Sequence, residues 1–287
     1  MKRYTALLLL AGLCLLAACT GLTSAAFPPH QAPPAAPPAE DEEQPAYQFD
    51  TLSAQEWFTA EDGTELAYYS YQLLTLTASN LEDLPPQSRA AAERNADSFN
   101  SKMVSLLDES VARGRTMGED AQAAYEAGSA ALNYYDETSA ACYQAGRIVS
   151  VRLDTGSFTG GAHPNSYTSS FLFDLGAGQF IDAAQIAEDP EAFRLNAAAA
   201  LLEQAEKLDV RDDFWPEYAD IIAHWNEGTV LFDQEGMRVV FSHYVLGPYS
   251  LGTVELCLDY GELAELVGSG GMERLGRAEP YGEAELE

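Results

Sequence analysis

The sequence predicts an α+β protein, with antiparallel sheets and packed helices in two sequential subdomains. Three observations carry this. Runs of β-branched, aromatic and aliphatic residues are joined by tight turns such as Gln144-Ala145-Gly146, Gly176-Ala177-Gly178 and Asp233-Gln234-Glu235-Gly236. Short turns of this kind connect antiparallel strands. Stretches with apolar residues three and four apart lie between the strand blocks, a grouping that separates α+β from alternating α/β chains. Hydrophobic residues make up 47% of the chain, ample for a packed core.

The chain opens with Lys2 and Arg3, a leucine-rich run, and Leu16-Ala17-Ala18-Cys19. A charged start, a short apolar core and small residues before a cut site make a secretory signal over residues 1–18. The run is shorter than the ~20 residues that cross a bilayer. Small residues ending in Cys look like a lipobox, so Cys19 is the expected lipid attachment point. That would place the mature chain on the extracytoplasmic face of a bacterial cell membrane, held by acyl chains. Residues 19–48 read as a tether. Pro28, Pro29, Pro33, Pro34, Pro37 and Pro38 recur among alanines and are followed by Glu40, Asp41, Glu42 and Glu43. Proline blocks helix and sheet, and an extended run from Phe27 would reach roughly 60 Å.

The first subdomain, 49–130, shows a strand around Leu66–Ala78 and a break at Pro85-Pro86. A helix follows from a Ser88 cap to about Ala112, ended by Gly114. Ala92, Ala96, Phe99, Met103, Leu106 and Ser110 repeat at the spacing of one buried helical face. The second subdomain, 131–267, begins with strands at Asn133–Tyr143, Arg147–Leu153, Tyr167–Asp174 and Gln179–Ile181. Helices at Glu191–Leu208 and Asp212–Trp225 come next, then strands at Thr229–Phe232, Met237–Tyr244 and Thr253–Leu258. Residues 268–287, glycine-rich and then acidic, read as a disordered tail.

Asp and Glu number 45 against 15 Lys and Arg, a formal net charge of -30. Nucleic-acid binding needs a basic footprint and is excluded. A cationic partner suits this charge, and so does plain solubility. With Cys14 in the leader and Cys19 acylated, Cys142 and Cys257 remain. Outside the cytoplasm they can form one disulfide or stay as two core thiols, and spacing leaves both open.

The sharpest local signal is Thr159-Gly160-Gly161-Ala162-His163-Pro164-Asn165 between two strands. Gly160 and Gly161 open backbone angles closed to other residues, and Pro164 holds His163 extended. The loop either presents His163 to a ligand or is a hairpin whose histidine bonds nearby backbone. No metal or cofactor is expected, because His163, His224 and His243 lack ligand spacing. Carboxylates that a glycan hydrolase would pair abound: Glu65, Asp136, Glu137, Asp154, Asp174, Asp182, Asp212, Asp213 and Asp233. Nothing in their spacing selects a pair, and no nucleophile elbow, zinc helix or phosphate loop is present.

Several segments together resemble the extracytoplasmic module of RsiV-type anti-sigma factors, found also in PdaC-type peptidoglycan deacetylases. They are the Tyr-rich opening strand, the helix with Asn95 and Phe99, Gly146–Val151, and Phe158–Pro164. Phe173-Asp174-Leu175 with its Gly178 turn, and Gly247-Pro248-Tyr249 through Leu263, complete the set. The similarity spans residues 49–267. The sigma-binding segment, the membrane-spanning helix and the deacetylase domain have no counterpart here, so neither sigma-factor inhibition nor deacetylation carries over. The resemblance implies an envelope binding module whose ligand, in the RsiV-type case, is lysozyme. The expected partners are therefore the membrane, through the lipid, and a lysozyme-like cationic protein or peptidoglycan. A hydrolase with paired carboxylates is the alternative.

Overall fold

Strand β1 (Ala46–Thr59) and strand β2 (Glu65–Ser79) form a long antiparallel ribbon. The sequence reading missed β1: its alternation of half-buried and exposed residues is broken at Asp50-Thr51, and it overlaps the end of the expected tether. Helix α1 (Pro86–Glu126) then crosses one face of the ribbon. Strand β3 (Tyr134–Ala145) pairs with β2 in parallel, and α1 supplies the long crossover that a parallel pair needs. Strands β4 (Ile148–Phe158), β5 (Asn165–Asp174) and β6 (Gln179–Ile181) continue as an antiparallel meander. The result is a six-stranded sheet in the order β1-β2-β3-β4-β5-β6, mixed because of the β2–β3 pair.

The α+β class with packed helices is observed. One sheet spans the boundary between segments 49–130 and 131–267, where Ala67–Gln72 pairs with Tyr134–Ser139. The computed structural model describes residues 44–131 and 133–276, which lie in one compact unit. The leader 1–18, Cys19, most of the tether and residues 277–287 lie outside the described residues.

Helix α1 begins at Pro86, without a side-chain cap from Ser88, and runs through Gly114 instead of ending there. Gly114 and Gly118 are packing residues. A Cβ at Gly114 would lie 2.6 Å from the Tyr69 ring and the Tyr71 hydroxyl, and one at Gly118 would lie 2.4 Å from the Phe58 ring. The predicted stripe holds: Ala92, Ala96, Phe99 and Met103 are buried against Leu73, Leu76, Val149, Val151 and Phe173.

The opposite face of β4 and β5 carries a second layer. Strands β7 (Thr229–Phe232), β8 (Gly236–Phe241) and β9 (Val254–Asp259) make an antiparallel sheet. Helices α2 (Pro190–Ala205), α3 (Tyr218–Ala223) and α4 (Tyr260–Arg274) pack around it. Phe193, Ile222, Trp225, Phe232, Leu258 and Leu263 form the larger core there. The expected helix Asp212–Trp225 is broken into a turn at Arg211–Asp213, α3, and a turn at Trp225–Glu227. Pro216 interrupts it, since proline cannot donate the helical hydrogen bond. The expected disorder from residue 268 is corrected over 268–276. Helix α4 kinks at Gly268 (φ 76°) and continues, burying Met272 and Leu275. Its Arg274 reaches Asp174 at 2.7 Å and also bonds the Gln185 carbonyl.

Candidate functional site

The Gly160–Pro164 loop joins β4 to β5. Gly160 (φ 94°) and Gly161 (φ 110°) occupy the left-handed region, and a Cβ at Gly161 would meet nothing within 4 Å. Gly161 thus serves backbone angle alone, not close approach. His163 is fixed at both nitrogens. Nδ1 lies 2.8 Å from the Pro164 carbonyl, which can only accept. Nε2 of the neutral ring is therefore the acceptor for the Tyr244 hydroxyl at 3.1 Å.

The ring also stacks on Tyr249, centroids 4.2 Å apart, and Tyr249 stacks on His243 at 4.7 Å. His243 Nδ1 meets the Ser166 hydroxyl at 3.2 Å. Tyr244 lies in the left-handed region at φ 68°, a strained setting for an aromatic residue. Trp215 Nε1 donates to its carbonyl at 3.3 Å, and its ring is left 53% exposed. The loop histidine is thus one member of a fixed aromatic cluster, and Tyr244 is the ring it offers to solvent.

Ser166 connects this cluster to an open cleft on the face of the large sheet away from α1. Alternation along the strands places Ser70, Glu137, Gly156 and Ser166 in one row across β2–β5. Gln72, Ser139, Asp154 and Thr168 form the next row. With Arg152 and Thr253 they line a cleft of about 510 Å³. Arg152 donates from Nε to both Asp154 oxygens, at 3.0 and 2.9 Å, and from Nη1 to Glu255 at 3.3 Å. Thr168 Oγ1 donates to Asp154 at 2.7 Å. Glu137 accepts from the Tyr68 hydroxyl at 2.8 Å. Burial first, and then this carboxylate, push the Tyr68 phenol up to about 12. Beyond Glu137, the row Trp57-Tyr68-Tyr135-Phe158 is a cross-strand aromatic ladder, tightest where Trp57 stacks on Tyr68 at 4.5 Å.

The structure sorts the acidic candidates. Asp136 is buried under α1, where Arg113 and Tyr71 donate to it at 2.7 and 2.9 Å. Asp174 is buried by Arg274 and Arg147. Asp182 caps the turn Ala183–Ile186, and Asp233 holds Arg238 at 2.9 Å. Only Glu137 and Asp154 face the cleft. Both are exposed, unlike the water-shielded carboxyl a general acid needs. Arg152, Ser166, Thr168 and Glu255 went unread because only strand register brings them together.

Cys142 and Cys257 are free thiols on different sheets, so the candidate disulfide is not made. Burial raises both thiol pKa values, which keeps them protonated. Among the described residues, no group of three His, Cys, Asp or Glu is placed to hold a metal ion, and no helix is long and apolar enough to cross a membrane.

No protein family model matches the chain, and no curated protein matches it. Solved structures do. A DUF3298-family member from Bacteroides fragilis matches with TM-score 0.58 and 17% identity, over 83% of this chain and 99% of its own. A DUF3298-family protein from Pseudomonas aeruginosa matches with TM-score 0.45 and 19% identity, over 79% of this chain and 96% of its own. The first of these shows a shared fold.

Proposed function

We propose that this chain is a lipid-anchored, extracytoplasmic binding domain of the bacterial envelope. It captures a cationic, lysozyme-like protein on the open face of its large sheet and performs no catalysis. The observation that carries the reading is the cleft on that face. Its lining is hydroxyls, amides and carboxylates, and its one guanidinium, Arg152, is already held by Asp154 and Glu255. A basic surface entering the cleft meets Glu137 and a local excess of negative charge, inside a chain of net charge -30.

The aromatic cluster of His163, His243, Tyr244 and Tyr249 forms one rim, and exposed Tyr rings are favoured contact residues. The resemblance of residues 49–267 to the RsiV-type module supports the same class of ligand. Cys19 with its lipid, and the proline-rich tether, would hold the domain off the membrane within reach of such a protein.

The test is retention of lysozyme, with purified cell wall as a parallel arm, at low and moderate salt. Lysozyme retained at low salt and released as salt rises is the expected result. Retention on cell wall alone would move the reading to peptidoglycan, and retention on neither would defeat it. Replacing Cys19 with Ala should move the protein from the membrane to the soluble fraction.

A further inference from the structure

Two histidines from separate loops sandwich one tyrosine at the rim of the cleft. His163, between β4 and β5, stacks on Tyr249 with centroids 4.2 Å apart and planes 22° apart. His243, just past β8, stacks on Tyr249 at 4.7 Å and 28°. The two imidazoles make no ring contact with each other, so they occupy its opposite faces. All three rings are half-buried, which leaves them open to water. The ring nitrogens meet the Pro164 carbonyl and the hydroxyls of Tyr244 and Ser166. Among the described residues, no carboxylate bonds either imidazole. Imidazole is the side chain that ordinarily changes charge between pH 5 and 8.

The sandwich sits where a charge would act on a captured protein. Ser166, the partner of His243, lines the cleft together with Tyr167 and Thr168. His163 lies on the loop that leads into Ser166. At physiological salt a charge acts over about 8 Å, so position decides which groups matter. The cleft lining holds two carboxylates, Glu137 and Asp154, and one guanidinium, Arg152, a formal sum of -1. Two imidazolium ions at the rim would turn the -1 of that lining into +1. The other titratable groups on the elements packed around the rings are few. They are Tyr244 and Tyr249, Glu255 behind Arg152, and Asp212 and Asp213 before Trp215. Asp220, His224 and Glu227 line the adjoining groove. Of these side-chain types only imidazole ordinarily titrates between pH 5.5 and 8, which leaves His224 as the competing group.

We propose that His163 and His243 form a proton-operated release switch for the captured protein, a reading that rests on the cleft being the capture site. With both rings neutral, the cleft attracts a basic surface. With both protonated, the rim repels it. Tyr249 makes the doubly charged state attainable, because the negative face of an aromatic ring attracts a cation and here each face receives one. The proton also rearranges a bond. His163 Nδ1 keeps its hydrogen for the Pro164 carbonyl, so the new proton enters at Nε2, the atom that accepts from Tyr244. The Tyr244 hydroxyl must then turn from donor to acceptor.

The experiment is lysozyme affinity for the full chain in mild detergent, at low salt, at pH 8 and pH 5.5. Both values lie above the range where carboxylates ordinarily protonate. Any protein gains positive charge on acidification, so the titration of lysozyme itself favours binding and cannot supply a loss. The expected result is an affinity roughly three- to tenfold weaker at pH 5.5, with the difference cut to under about twofold when His163→Gln and His243→Gln are combined. Magnetic resonance of the ring C–H signals in the unsubstituted chain gives a readout that does not depend on the double variant folding. Added lysozyme must lower the pH at which these two rings titrate, since coupling is reciprocal. Equal affinity at both pH values would overturn the switch and leave capture standing. So would a loss that persists in the double variant, a loss that His224→Gln abolishes, or ring titrations unmoved by lysozyme. No binding of lysozyme at pH 8 would defeat the capture reading itself, and the switch with it.

Discussion

Asp174 is 1% exposed, and its surroundings supply the bonds a buried carboxylate wants. Arg274 donates at 2.7 Å, Arg147 lies at 3.2 Å, and the amides of Gly176 and Ala177 complete the shell. A buried ion pair adds little over an apolar replacement, but removing one partner strands the other charge. Asp174→Ala should therefore cost about 3–5 kcal/mol, read as a lowered urea midpoint, and should free the last turn of α4 to exchange its amides. Tyr68 makes a pH-dependent contribution of known sign. Its phenol is pushed up from 10.0 to about 12, so the unfolded chain loses that proton first. The stabilisation is complete below pH 10 and is lost as pH rises through about 12. Tyr68→Phe keeps the ring stack and should flatten the fall of the denaturation midpoint over this interval. An unchanged slope would show that the phenol does not contribute.

Helix α1 shows what the sequence made legible and what it hid. The stripe Ala92, Ala96, Phe99, Met103 was readable because burial on one face imposes a helical period. The end of the helix was misread, because glycine is the usual stop signal and Gly114 gives no sign of its other use. That use appears only when Tyr69 and Tyr71 from β2 lie across it. Strand β1 was hidden for a related reason: its half-buried rings depend on α1 lying over them. The cleft was hidden more deeply. Ser70, Glu137, Gly156 and Ser166 sit on four strands and become neighbours only through register, which no local pattern encodes. His163 was found because two glycines and a proline leave a local mark, but its partners Tyr244 and Tyr249 lie far along the chain. The glycine reading has a measurable consequence. Alanine normally favours a helix interior by about 1 kcal/mol over glycine. At Gly118, a Cβ 2.4 Å from the Phe58 ring reverses the sign, and Gly118→Ala should destabilise by roughly 1–3 kcal/mol. Phe58→Leu in the same chain should recover part of the loss, as a steric origin requires.

The net charge of -30 acts on the molecule as a body, and it sets the salt dependence of its proposed capture of a cationic partner. A cationic partner is drawn by a field that reaches about 10 Å at 0.1 M ionic strength and about 3 Å at 1 M, so capture must weaken as salt rises. One titration of sodium chloride, followed by lysozyme retention, checks this. The cleft makes the first effect local. Glu137 is exposed and accepts from the Tyr68 hydroxyl, so Glu137→Gln removes a charge while leaving an acceptor for that hydroxyl. Exposed charge pairs contribute about 0.2–1 kcal/mol, which corresponds to a loss of up to about fivefold in lysozyme affinity at low salt. The loss should shrink as salt rises, since screening already removes what the substitution deletes. A deficit that stays constant through the titration would mean that Glu137 acts by shape or hydrogen bonding. Equal binding by both forms at low salt would place the capture surface elsewhere on the molecule. Asp154→Asn is the sharper companion. It removes one of the two carboxylates that neutralise Arg152, leaving Glu255 alone to pair with the guanidinium, and should weaken a basic ligand more than Glu137→Gln does.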